Sequence, residues 1–271
     1  MGDEVESLNL FSLHNCVAVV TGAGGHLGSS ISLALASAGA RVELLGRTIA
    51  PLEVVRKKIS AFGGESYVHQ VDVNKSDEVI KFLANLEKDG LGLDILVHNA
   101  YAGSTGVIED TEKQKYDDAF SIGVTSVADF NHHAMALLLE GVRLRGQVSI
   151  INIASMYGTV SPNPSIYGTS GQNNPPWYGS AKAALIQYTR YAAVHLAPLG
   201  IRVNSISPGP FPNNSQLEIS EDFLYELSSK TPMARIGEPD EIRGAVVFLA
   251  SSASSFVTGA NIAVDGGWTA W

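Results

Sequence analysis

The chain is short of cysteine: Cys16 stands alone in 271 residues, so no internal disulfide can form and a reducing compartment is expected. Basic charge is scarce too. Eighteen Lys and Arg face 27 Asp and Glu, a formal charge of −9, and no basic run occurs. That balance speaks against nucleic acid and anionic membrane as partners. No apolar run approaches the roughly 20 residues that span a bilayer. The N-terminal MGDEVES is acidic and has no apolar segment, which argues against a signal peptide. A soluble, cytoplasmic protein without a metal site is expected.

Charge is sparse at 17%, while hydrophobic residues make up 45%. Such a chain can bury a large core and hide surface against copies of itself. Apolar runs of strand length recur at 16–21, 41–46, 66–73, 93–100, 147–155, 201–207 and 261–267. Helical patterns lie between them, the longest over about 113–141 and 178–197, and another precedes the final strand near 238–252. This alternation predicts a single doubly wound α/β domain over 1–271: a seven-stranded parallel sheet of Rossmann type with helices on both faces. Ligands bind beyond the carboxyl ends of such strands, so the irregular segments 156–177 and 208–230 are expected to be substrate loops.

The turn TGAGGHLG (21–28) follows the first strand and opens a helix. Glycine lets backbone approach a pyrophosphate, and the helix N-terminus offers unpaired N–H groups. Further along stand Ser155 after the fifth strand and Tyr178 with Lys182 on the next helix. A phenol is a poor base near neutrality unless a cation stabilises its phenolate. A lysine four residues on, on the same helix face, supplies that charge. Tyr178 has Lys182 at this spacing, whereas Tyr167, in a similar Tyr-Gly pair, has Gly171. Tyr178 is therefore the candidate.

With these motifs the chain, from about residue 10 onward, resembles the short-chain dehydrogenase/reductase family. The resemblance implies a catalytic Ser155, Tyr178 and Lys182, with Lys182 and Tyr178 also meeting the cofactor. It assigns dinucleotide contacts to Gly22, Gly25, His26, Leu27 and Gly28 of the turn, to Asp72 and Val73 after the third strand, and to Asn99 and Ala100 of HNAY. Pro208, Gly209 and Phe211 after the sixth strand complete the set. His26 replaces the family's middle glycine and either bonds a phosphate or ribose or points aside. Gly46 stands where members that use NAD carry Asp, and Arg47 follows; an arginine fork suits a phosphate. NADP(H) is thus favoured, while stacking of Arg47 on adenine would leave NAD(H) open.

Three further features depart from the pattern. Tyr101 replaces a glycine, and Gly123 aligns with an asparagine that helps hold a proton-relaying water in the family. The third is the interval from Ser155 to Tyr178, 178 − 155 = 23 residues, longer than usual. The extra YGTSGQNNPPW is read as a polar lid, or else as a surface insertion without ligand contact. The implied activity is interconversion of a secondary alcohol and a ketone on a polar small molecule such as a carbohydrate, with Tyr178 as acid/base. Alternatives are a 3-oxoacyl-carrier-protein reductase and a catalytically impaired dinucleotide sensor or scaffold. The C-terminal strand implies a homotetramer or homodimer in which Trp268 and Trp271 are covered by a neighbour or reach its active site.

Overall fold

Val17–Thr21 forms β1, and all five of its residues are buried. A strand covered on both faces reads as an unbroken apolar run. The same logic gives β2 (Arg41–Gly46), β4 (Ile95–His98), β5 (Val148–Ile153) and β6 (Ile201–Pro208). The edge strands β3 (Ser66–Gln70) and β7 (Asn261–Val264) are less covered. All neighbours pair in parallel in the order β3-β2-β1-β4-β5-β6-β7. The structure, a computed structural model, describes residues 9–103, 105–213 and 220–271.

The helices are α1 (His26–Ser37), α2 (Ile49–Ala61), α3 (Ser76–Lys88), α4 (Lys113–Phe120), α5 (Ser126–Arg145), α6 (Pro176–Leu196), α7 (Glu221–Lys230) and α8 (Arg243–Ala250). Side chains alternate across β1: Ala18 and Val20 join the core beneath α1, α2 and α8, and Val19 joins the core beneath α3, α5 and α6. In α3 the buried Val79, Phe82, Leu83 and Leu86 lie at helical spacing, one stripe facing the sheet. The sheet therefore has two cores, one per face. Among the described residues no helix is long and apolar enough to cross a membrane, and no cluster of metal-ligating side chains occurs.

The elements differ from the sequence expectations in four places. The long helical pattern from 113 breaks into α4, a π turn over Ser121–Thr125 and α5. Such turns widen a helix and recur at functional sites. β3 ends at Gln70, because the chain leaves the ladder and the Asp72 N–H donates to Glu78 Oε2 at 2.8 Å instead. Of the pattern near 238–252, Pro239–Ile242 is a 3₁₀ turn and only Arg243–Ala250 is α-helical. Of the irregular segment 208–230, Glu221–Lys230 is helical, capped by Ser220, whose Oγ accepts from the Phe223 N–H at 3.2 Å; 214–219 lie outside the described residues.

Trp268 requires a correction. It is buried within its own chain, packed with Met156, Ile166 and Leu227, and needs no neighbour to cover it. The 3₁₀ turn Pro164–Tyr167, which ends on the first residue of the insertion, supplies Ile166 and Tyr167 to this cluster, so the start of the insertion is pinned by apolar burial. Trp271, by contrast, is exposed.

Candidate active site

Strand order reverses between β1 and β4, which opens a crevice at their carboxyl ends. Thr21 and Asn99 clamp the two sides together. Thr21 Oγ1 accepts from the backbone N–H groups of Asn99 (3.0 Å) and Ala100 (3.1 Å). Asn99 Nδ2 donates to the carbonyls of Thr21 and Gly22, both at 3.1 Å. Gly22 turns the chain at φ +63°, and a Cβ there would stand 2.9 Å from Ala100 Cα. At Gly28 a Cβ would meet the Gly22 carbonyl oxygen at 2.1 Å. Glycine is required at both because the backbones approach so closely.

The resulting cleft has a volume of about 510 Å³, within the range of small-molecule sites. Its walls bring together the predicted Gly22, Gly25, His26 and Leu27 of the turn and Arg47, Asp72 and Val73 of the next two strand ends. Asn99, Ala100, Ser155, Tyr178, Lys182, Pro208, Gly209 and Phe211 line it as well. Gly28 is the exception: it is buried behind the wall, and its bareness serves the close seating of α1. Helix α1 has Gly25 as N-cap with no side-chain cap, so its first N–H groups are left for whatever enters the cleft. Arg47 is exposed at the rim. These bare glycines, the uncapped helix end and the rim guanidinium fit a dinucleotide.

His26 leaves the cleft open. Its Nε2 is shielded from solvent and has no partner among the described residues, a situation that costs about 1–3 kcal/mol unless a ligand meets it. Burial lowers its pKa, and Glu238 works in the opposite direction. The Ile153 carbonyl, Ile122, Thr48 and Pro51, which bond Lys182 or line the site, carry no signal in the sequence. Thr21 opens the glycine motif, but its clamp on Asn99 and Ala100 shows only in the fold.

At the inner end, Ser155 and Tyr178 line the wall together; burial raises the Tyr178 pKa, and the Ser155 hydroxyl lowers it by less. Lys182 is buried, donates from Nζ to the Ile153 carbonyl at 2.7 Å, and stands 5.8 Å from the Tyr178 ring centroid. Burial lowers its pKa to about 8. Tyr167 lies elsewhere, its ring 5.3 Å from that of Phe223. No residue of 156–177 lines this cleft. Tyr157 and Gln172–Pro176 line a neighbouring cavity of about 860 Å³ instead, and the Gly106 N–H donates to the Asn173 carbonyl at 3.2 Å.

A family model described as enoyl-(acyl carrier protein) reductase matches residues 22–269. The chain is 37% identical over 266 residues to an uncharacterized oxidoreductase of Mycobacterium tuberculosis, covering 97% of this chain and 95% of that one. A crystal structure of a short-chain type dehydrogenase/reductase from Mycobacterium marinum superposes with TM-score 0.86 at 33% identity, over 97% of this chain and 98% of that one. This chain is a short-chain dehydrogenase/reductase. Within the family it is 34% identical to a galactitol 2-dehydrogenase (L-tagatose-forming) of Cereibacter sphaeroides, over 97% and 98% of the two chains. A gluconate 5-dehydrogenase from Burkholderia cenocepacia, solved with NADP and tartrate, superposes with TM-score 0.86 at 26% identity over 98% and 99%.

Proposed function

We propose that this oxidoreductase uses NADP(H) in preference to NAD(H) to interconvert a secondary alcohol and a ketone on a polar, carbohydrate-like substrate. The observation that carries the reading is Tyr178, sharing the cleft wall with Ser155 and one helical turn from buried Lys182, at the inner end of the dinucleotide-sized cleft. A bound nicotinamide supplies or accepts the hydride. Tyr178 gives its proton to the substrate oxygen in reduction and takes it back in oxidation. Ser155 donates to the same oxygen and holds the substrate within reach. Lys182 keeps the phenolate affordable: a unit charge at the 5.8 Å centroid distance and an effective dielectric of about 20 contributes about 3 kcal/mol, or about two pKa units.

Cofactor choice rests on Gly46 and Arg47, since no carboxylate ends β2 to repel a 2′-phosphate and a guanidinium stands at the rim. The polar-substrate reading rests on the hydroxyls of Ser155, Tyr101 and Tyr178 at the inner end, that of Tyr101 having no protein partner among the described residues. The relatives that act on galactitol and gluconate point the same way. The exposed Tyr191, Val194, Phe256 and Trp271 support assembly into a homodimer or homotetramer, read by light scattering.

The test is titration with NADPH and NADH, followed by turnover against ketoses, sugar acids and ketoacyl thioesters, with Tyr178→Phe as control. Tight NADPH binding and turnover of a ketose or sugar acid are expected. Binding without turnover on any compound would overturn the reading.

A further inference from the structure

Tyr101 stands where the chain leaves β4, and its ring enters the inner end of the cleft. It meets the Tyr178 ring edge to face, centroids 5.0 Å apart at 73°. The Lys182 ammonium lies over the Tyr101 ring at 4.8 Å from its centroid, nearer than the 5.8 Å to the Tyr178 ring. Gly103 makes room for this ring: a Cβ there would stand 2.6 Å from Tyr101 Cε1. On the other side Gly123, in the π turn, faces the ring across ordinary contact distance, 3.7 Å from an added Cβ to Cε2.

Lys182 has few other supports. Its single hydrogen bond among the described residues goes to the Ile153 carbonyl, although an ammonium can donate three. The groups facing it are the Tyr178 phenol from α6, the Tyr101 phenol from the segment after β4, and the Ser155 hydroxyl and Ile153 carbonyl from the end of β5. Tyr157 adds a further phenol next to Tyr178, while Ile122, Gly123, Pro208, Gly209 and Phe211 bring no charge. Among the described residues no carboxylate neutralises the ammonium. The electron-rich face of an aromatic ring stabilises a desolvated cation by charge–quadrupole attraction.

We infer that Tyr101 is a positioning residue for Lys182, its ring face acting as the ammonium's electrostatic support and side wall. The catalytic consequence rests on the dehydrogenase reading above, but the contact itself can be tested without turnover. In protein labelled with ¹³C-lysine, the Lys182 Cε resonance, assigned by its loss in Lys182→Arg, reports the titration of that one ammonium. Tyr101→Leu removes the π face; Gly103→Ala displaces the ring from outside; Tyr101→Phe keeps the ring and drops only the hydroxyl. The midpoint should fall by about half a pH unit or more in Tyr101→Leu and Gly103→Ala and hold at the wild-type value in Tyr101→Phe. Where turnover is found, the alkaline limb of the pH profile should move down in Tyr101→Leu and stay at its wild-type position in Tyr101→Phe.

Equal midpoints in wild type, Tyr101→Leu and Gly103→Ala, with unchanged melting temperatures, would overturn the inference. If Tyr101→Leu does not fold, Tyr101→Met and Gly103→Ala carry the same comparison. A wild-type protein that turns over no substrate would defeat the dehydrogenase reading and still leave the midpoints to decide this one.

Discussion

Lys182 Nζ and the Ile153 carbonyl oxygen are 2.7 Å apart, which ties the catalytic-side face of α6 to the last residue of β5. The bond holds the ammonium beside Tyr178, but a buried cation with one acceptor is an expense to the fold. Its pKa falls from 10.5 to about 8 through burial. The folded protein therefore disfavours the charged lysine below about pH 8, and the penalty fades as pH rises toward 10.5, where the unfolded chain also loses its proton. Lys182→Met should raise stability at pH 7 by an amount on the order of 3 kcal/mol, read from denaturant melts, with the gain shrinking toward pH 10. Turnover should be lost in the same variant.

The two similar Tyr-Gly pairs separate by place: Tyr178 lines the cleft and Tyr167 does not. Tyr178→Phe should cut kcat by about a thousandfold or more while leaving NADPH binding near wild type. Tyr167→Phe should stay within a few-fold of wild type, because Tyr167 packs on Phe223 outside the cleft. Equal losses in both would contradict the assignment.

Gly28 tests the cradle. An alanine Cβ there would lie 2.1 Å from the Gly22 carbonyl oxygen and 2.7 Å from Asn99 Nδ2. Backbone must shift, so Gly28→Ala should destabilise the protein by about 1–3 kcal/mol and weaken dinucleotide binding at least tenfold in a fluorescence titration. Gly63→Ala is the useful contrast: its φ of +80° is strained, yet nothing surrounds it, so binding should be spared.

Arg47 tests cofactor choice. Arg47→Ala should weaken NADPH about tenfold and NADH less than twofold, since only the phosphate gains a charge-assisted bond. Because the side chain is exposed, the wild-type preference should shrink as salt is raised. A preference indifferent to both changes would remove Arg47 from the site.

Trp268 anchors the insertion from below. Trp268→Ala should cost about 3–5 kcal/mol in a denaturant melt and raise hydrogen exchange across Pro164–Tyr167 and Glu221–Lys230, two of the elements that share its cluster.

Much of this was readable from residue order because strands buried on both faces leave unbroken apolar runs such as VAVVT and VSIINI. The Tyr178–Lys182 spacing was legible for the same kind of reason: one helical turn is a local rule. The break in the helix at Ser121–Thr125 had no comparable sign, since a π turn changes pairing by one residue without changing hydrophobic spacing. Trp268 was misjudged because its partners Met156, Ile166 and Leu227 are distant in sequence.

The order of apolar runs, the glycines of the first turn and one lysine a helical turn from one tyrosine determined the architecture and the region of the chemistry. Those are short-range constraints, carried by backbone reach and helix period. Folding in three dimensions decided the rest: that Gly28 seats a helix while Gly22 lines the wall, that the insertion borders a second cavity, and that the Tyr101 ring slides between Gly103 and Gly123 to lie against Lys182. Each of these depends on which surfaces meet across the sheet, a matter of packing between residues far apart in the chain.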